Sequence, residues 1–298
     1  MKILITGASG YLGKRLLEAL QHEKDLKIFV IGNNIPEVNT EFTFIRANLC
    51  DVVSLNNAAK TIGELDTIIH LAAKVPKTGQ EDMMSEMVAV NIVGTINLLS
   101  SFKDRFKKLV FGSTAEIYGL PEAIDFIDER QMPQPKSYYG ITKYASEILA
   151  KEFCSRNNIS FVSLRFSVMY GSPDLIKRAI PNFINQAINN ATIHVYGGEE
   201  LRDYLHIDDA VNSILISTRG ETQGTYNIGT GVGISILDTA RKIVDITNSN
   251  SEIEVLPRQK PSSDIILNCD AAKSLLGFKA NYIFPAGIEG QIKWQISQ

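Results

Sequence analysis

The sequence predicts a doubly wound α/β fold: a parallel sheet covered by helices on both faces, with a smaller C-terminal lobe laid over the sheet's carboxyl edge. Three observations predict it. Short apolar runs alternate with helical patterns through the first half of the chain. The first run, "KILIT" (2–6), passes through three glycines straight into a helical pattern. After about residue 167 the rhythm breaks, and Pro173, Pro181, Gly197, Gly198, Pro257 and Pro261 punctuate shorter pieces.

In chain order, the strand at 2–6 is followed by a helix across 11–21. "KIFVIG" (27–32), "FTFIRAN" (42–48) and "DTIIHLAA" (66–73) are rich in β-branched and aromatic residues and read as the next three strands. A long apolar-faced helix covers 87–102, and "KKLVFGST" (107–114) is a fifth strand. A second long helix runs over 138–156, and "ISFVSLRFS" (159–167) is a sixth strand. Crossovers between such strands are right-handed. "TYNIGTG" (225–231) reads as a strand that returns to the main sheet, which makes the lobe discontinuous. The expected division is 1–167 plus about 205–231 for the main domain, and about 168–204 with 232–298 for the lobe.

Composition narrows the function. The 298 residues are 44% hydrophobic and 21% charged, the balance of a soluble globular protein, with material for a large core. A formal charge of −3 gives no reason to expect a nucleic-acid partner or an anionic membrane surface. No apolar stretch reaches the length of a membrane span, and "MKILITG" is too short for a secretory signal. Cys50, Cys154 and Cys269 are too far apart for a disulfide framework or a zinc spacing. Free thiols, no metal and a cytoplasmic location are expected.

A strand that ends in glycines and opens a helix makes an anion site, because backbone N–H groups at the helix start point outward with the positive end of the dipole behind them. In "TGASGYLG" (6–13), Gly7 allows the tight turn, Gly10 lets a pyrophosphate approach the backbone, and Gly13 lets the helix pack on its strand. A Rossmann-type dinucleotide site is expected. The glycines are spaced three and three, unlike the commonest fingerprint. The second strand ends Ile31-Gly32-Asn33-Asn34. It lacks the carboxylate that would bind the adenosine ribose 2′-OH, and no arginine follows to hold a 2′-phosphate. Lys14 and Arg15 are weaker candidates for that task. The coenzyme is NAD or NADP, with a slight lean to NADP.

"Tyr139-Gly-Ile-Thr-Lys143" places a phenol and an ammonium one helical turn apart on one face. A nearby ammonium favours phenolate, which suits acid/base work on a hydroxyl or carbonyl. The pair follows a strand ending Gly112-Ser113-Thr114, and strand ends and helix starts of a parallel sheet converge on one crevice. A hydroxyl at 113 or 114 could therefore hold the substrate oxygen beside Tyr139.

With these stretches the chain resembles the extended short-chain dehydrogenase/reductases, the group of nucleotide-sugar epimerases and dehydratases. The resemblance rests on "TGASGYLG", "HLAA" (70–73), "NIVGTINLL" (91–99), "FGSTAEIYG" (111–119), "YYGITK" (138–143), "LRFSVMYG" (164–171), "RDYLHIDDAV" (202–211) and "YNIGTG" (226–231). It implies Thr114, Tyr139 and Lys143 as catalytic residues, with Lys143 also on the nicotinamide ribose. It implies coenzyme contacts from Gly7, Gly10, Tyr11, Leu12, Gly13, Asn33, Asn48, Leu49, Leu71, Ala72 and Ala73. Asn48 stands where the family usually has an aspartate, and Asn91 is the family's core helix asparagine. Arg202 and Arg258 match arginines that hold a nucleotide-sugar diphosphate, Glu116 a glutamate that acts on the sugar. Ala115 stands where some dehydratases carry an acid, and Val168 where most members have an asparagine. The resemblance thus implies hydride transfer at a carbon of a nucleotide-diphosphate sugar, in an epimerase or a 4-ketoreductase. The alternatives are a 4,6-dehydratase, a dinucleotide sensor without catalysis, or the same chemistry on a flavonoid-like or steroid ketone. Met83, Met84, Met87 and Val88, with the family's helical dimer core, imply a C2 homodimer.

Overall fold

The computed structural model describes every residue except 24, 77–82, 121–125, 175–177, 259–260 and 298. Strand β1 (Lys2–Thr6) lies at the centre, with Ile3, Leu4 and Ile5 buried from both faces. It pairs in parallel with β2 (Lys27–Gly32) on one side and with β4 (Thr67–His70) on the other. β3 (Thr43–Arg46) extends the sheet beyond β2. β5 (Lys108–Thr114), β6 (Ser160–Phe166) and β10 (Gly224–Ile228) extend it beyond β4. The seven-stranded order is β10-β6-β5-β4-β1-β2-β3, parallel throughout, and its winding reverses between β1 and β4.

Helices α1 (Tyr11–Ala19) and α7 (Ile207–Arg219) cover one face, through Leu16, Leu17, Ala210 and Ile214. Helices α2 (Val52–Ile62), α4 (Gly94–Ser101) and α5 (Tyr138–Arg156) cover the other, through Leu55, Leu98, Leu99 and Ala150. α2 is absent from the sequence reading. It starts at Asp51, whose carboxylate accepts from the Val53 and Ser54 amides. The long helix expected over 87–102 begins earlier, at α3 (Met84–Met87), and widens to a π-helical stretch over Val88–Val93 before α4. A buried ion pair, Arg165 to Glu147 at 2.6 Å, ties α5 to β6 one turn beyond Lys143.

The rest of the chain builds two small sheets. β7 (Val168–Tyr170), β9 (Leu201–His206) and β11 (Gly233–Ser235) form one in the order β11-β9-β7. β8 (Ile193–Tyr196) and β12 (Ile253–Leu256) form the other. With α6 (Ala179–Ile188), α8 (Ile236–Thr247) and α9 (Ile288–Ile296) they enclose a separate core around Tyr170, Phe183, Ile184, Val195, Tyr204 and Ile243. The boundary is less tidy than a simple division: Ala272, Leu276 and Phe278 pack into the main-sheet core, not into the lobe.

Candidate active site

At the carboxyl edge of the sheet, over the β1/β4 reversal, lies a cavity of about 680 Å³. Open α/β sheets bind ligands at this topological position. The glycine turn forms one wall. Gly7 has φ +75°, and a Cβ there would lie 2.5 Å from the Ala72 nitrogen. A Cβ on Gly13 would lie 2.2 Å from the Gly7 carbonyl oxygen. These two glycines are needed by the protein itself. A Cβ on Gly10 would meet only the Gly7 oxygen, at 3.2 Å, so its bareness serves the cavity side.

A buried network sets the floor. The Thr95 hydroxyl spends its proton on the Asn91 carbonyl at 2.6 Å, so the His70 Nε2 2.9 Å away is the donor of that pair. Nδ1 is then an acceptor and takes the Thr6 hydroxyl proton at 2.6 Å. Burial pushes the imidazole down to about 3, which keeps it neutral. The Thr6 oxygen in turn accepts from the Ala72 amide at 3.3 Å, which holds the 71–73 turn against the glycines. Asn91, on the π-helical stretch, accepts from the Lys74 amide and donates to the Lys74 carbonyl and the Thr142 hydroxyl. With both amide hydrogens spent, it braces the turn against α5.

β5 and α5 supply the opposite wall. Thr114 caps a single 3₁₀ turn, Ala115–Tyr118, by accepting from the Glu116 amide. Ser137 caps α5 by accepting from the Gly140 amide, and its hydroxyl donates to Glu116 Oε2 at 2.8 Å. A Cβ on Gly140 would sit 2.8 Å from the Glu116 carbonyl oxygen, so this glycine lets α5 start against the turn. Thr114, Glu116, Tyr139 and Lys143 all line the cavity. Lys143 is 2% exposed, with Nζ 4.2 Å from the centre of the Phe111 ring. Among the described residues no acceptor lies within hydrogen-bond distance of that ammonium. The buried Ser113 hydroxyl also lacks a partner there.

Electrostatics depart from the sequence expectation. Burial drives the Tyr139 phenol well above its ordinary value, the Glu116 carboxylate adds to the rise, and Arg178 opposes it. Burial also lowers Lys143 to about 7, with Glu147 resisting. A lysine that is half neutral near pH 7 cannot pull the phenol down, so desolvation wins over the pairing. The Glu116 carboxyl has an open surface, but that surface faces the walled cavity. Burial raises its pKa against the Ser137 hydrogen bond.

The structure brings Gly7, Gly10, Tyr11, Leu12, Gly13, Asn33, Asn48, Leu49, Leu71, Ala72 and Ala73 to the same cavity. Arg202 lines a smaller one of about 110 Å³ that shares Val168, Met169 and Arg178 with the first. Its guanidinium donates to the Leu201 and Ser263 carbonyls and to the Ser262 hydroxyl. Arg258 lines neither of these cavities and pairs with Glu200 at 2.7 Å. Arg15 is spent on Asp208 and Glu18. Sequence reasoning missed Arg178, whose guanidinium carbon lies 5.5 Å from the Tyr11 ring centre and pairs with Asp174. Its stretch, "LIKRAIPNF", has no local signature. Among the described residues no cluster of His, Cys, Asp and Glu could hold a metal, and no helix is long and apolar enough to cross a membrane.

Residues 3–229 match the NAD dependent epimerase/dehydratase family. The chain belongs to that family. A dTDP-D-glucose 4,6-dehydratase from Dictyostelium discoideum is 32% identical over 83% of this chain, which spans 62% of that relative's length. A UDP-glucose 4-epimerase from Thermotoga maritima, solved with UDP-glucose, superposes with a TM-score of 0.91 at 25% identity, over 100% of this chain and 99% of the other. A UDP-glucuronic acid 4-epimerase from Bacillus cereus, solved with UDP-glucuronic acid and NAD, gives a TM-score of 0.89 at 25% identity over the same shares. The epimerase/dehydratase family thus includes proteins of this fold over essentially the whole chain. The cavity fits the coenzyme that the family's name carries, with a bare Gly10 facing it and a Lys143 ammonium that is unpartnered among the described residues.

Proposed function

We propose that the protein transfers hydride between a carbon of a nucleotide-diphosphate sugar and a nicotinamide coenzyme, as an epimerase or a 4-ketoreductase. The observation that carries this is the convergence of Thr114, Tyr139 and a buried Lys143, unpartnered among the described residues, on a cavity walled by the glycine turn. Gly7 through Gly13 hold the pyrophosphate, Asn33, Asn48 and Leu49 the adenosine end, and Leu71 to Ala73 the stretch between. Lys143 gives its free donors to the nicotinamide ribose. When bound, the nicotinamide accepts or returns the hydride. In the oxidising direction Tyr139 Oη takes the sugar hydroxyl's proton as the carbonyl forms, and Thr114 holds that oxygen in place. In the reducing direction Tyr139 gives the proton back. A phenol with a high pKa suits the donor role, and binding a cationic ring beside it favours phenolate. Arg178, shared by the two cavities, and Arg202, in the smaller one, suit the substrate diphosphate through charge-assisted hydrogen bonds.

A 4,6-dehydratase is the second reading, because Glu116 lines the cavity and burial raises its pKa, which makes its carboxylate a stronger base for the C–H proton lost when water is eliminated. Ala115 offers no acid for the departing hydroxyl. Product analysis separates the two: a dehydratase yields a sugar lighter by one water, an epimerase or reductase does not. Incubating the protein with UDP-, dTDP-, GDP- and CDP-sugars plus coenzyme tests the main reading. Turnover of at least one is expected, and Tyr139→Phe should lower it by about 10²- to 10⁴-fold while leaving coenzyme affinity nearly intact. A variant that keeps more than about a tenth of the activity contradicts the role of Tyr139.

A further inference from the structure

We propose that Gly32 and Arg46 together form a 2′-phosphate site that makes the protein select NADP over NAD. The proposal rests on a dinucleotide occupying the main cavity, and it assigns the coenzyme's adenosine end to two residues far apart in sequence.

A carboxylate at the end of the second strand would hold the ribose 2′-OH and repel a 2′-phosphate. Gly32 takes the last position of β2, and Gly32, Asn33 and Asn34 line the cavity. The fold does not need a glycine there. A Cβ on Gly32 would meet nothing nearer than the Asn34 oxygen at 3.8 Å, and its φ is not in the left-handed region. The bare position therefore leaves room for a group that belongs to the ligand. Among the described residues the one carboxylate lining the cavity is Glu116, at the catalytic end.

The cation comes from the next strand. In the β2/β3 ladder Gly32 is the direct partner of Arg46, the last residue of β3. Partners in a parallel ladder project to the same face of the sheet, and alternation identifies that face. Ile28 and Val30 precede Gly32 on it, Phe44 precedes Arg46, and all three pack with the core beneath α1. Ile31 and Ile45 point to the opposite core. Arg46 thus projects on the side where the glycine turn opens α1. It stands about 4.8 Å to the side of the bare Gly32, well within reach of a guanidinium. Arg46 is exposed, and among the described residues its side chain makes no ion pair or hydrogen bond. Arg15, in the first turns of α1, is tied to Asp208 and Glu18. A free guanidinium beside an uncharged, unfilled strand end has the chemistry of a phosphate site.

Titrating the purified protein with NADPH and NADH by fluorescence, and with adenosine 2′,5′-bisphosphate and adenosine 5′-phosphate by calorimetry, tests this without any sugar substrate. The phosphorylated member of each pair should bind at least about tenfold more tightly. Arg46→Ala should erase that preference while changing NADH affinity less than about twofold, and Gly32→Asp should turn it toward NADH. Equal or tighter NADH binding by the wild type overturns the proposal, as does an Arg46→Ala change that weakens both coenzymes alike. Binding of neither coenzyme overturns the dinucleotide reading along with it, whereas NAD preference leaves that reading standing. Arg46 lies on the surface, so its variant keeps the test valid should Gly32→Asp fold poorly.

Discussion

Lys143 shows how burial shapes this site. Its four-carbon stem and ammonium are enclosed against Phe111, and desolvation lowers its pKa from 10.5 to about 7. The sign of the linked stability follows. Below about pH 7 folded and unfolded chains both carry the charge, and the folded one bears the full cost of burying it. Between about 7 and 10.5 the unfolded chain binds the proton more strongly, so stability rises with pH, and above 10.5 the cost vanishes. Lys143→Met removes this dependence. In urea unfolding of the chain without coenzyme, the variant should gain about 1 to 3 kcal/mol on the wild type at about pH 6.5, and much less at about pH 9.5. Curves that stay parallel across that range would show that the ammonium is not held in a poorly solvated place.

The strand–turn–helix unit at the chain's start separates what the protein needs from what its ligand needs. Gly7→Ala would drive a methyl group into the Leu71–Ala72 backbone at a positive φ, so a loss of about 2 to 4 kcal/mol of stability is expected in thermal or urea unfolding. Gly10→Ala meets only one oxygen, at 3.2 Å, so the fold should lose less than about 1 kcal/mol while coenzyme affinity falls at least tenfold or so. Equal destabilisation by the two would contradict the division of roles. This unit was legible in the sequence because strand, glycines and helix are contiguous, and the same holds for "YYGITK" at the start of α5. α2 could have been read as well: Leu55, Ala58, Ala59 and Ile62 repeat at helical spacing behind the Asp51 cap, but the intervening asparagines obscured them. The π-helical widening that places Asn91, the pairing of Gly32 with Arg46, and the approach of Arg178 to Tyr11 have no local pattern. They follow from register and packing between segments distant in the chain.

Among neighbouring helices, α3 through α4 and α5 leave Met84, Val88, Val93, Ile96, Ile141, Ile148 and Leu149 exposed, each by 39% or more. Met87, grouped with these in the sequence reading, turns into the core instead, and Met83 is half-buried. An exposed apolar surface spread over two adjacent helices suits a second copy packed about a twofold axis, the homodimer we propose. Light scattering should give twice the chain mass for the wild type, and Ile148→Lys should shift it to the monomer. A wild type that stays monomeric at micromolar concentration contradicts this assembly. Because α5 carries both this surface and Tyr139, dimerisation would also steady the catalytic wall.

Every role assigned here depends on where the nicotinamide lies. The most direct test is a crystal structure of the protein with its coenzyme bound. The ring should lie beside Tyr139, leaving room between Thr114 and Tyr139 for the sugar oxygen, with the Lys143 ammonium on its ribose and the pyrophosphate over Gly10. A nicotinamide bound away from Tyr139, or a pyrophosphate away from the glycine turn, would contradict the account.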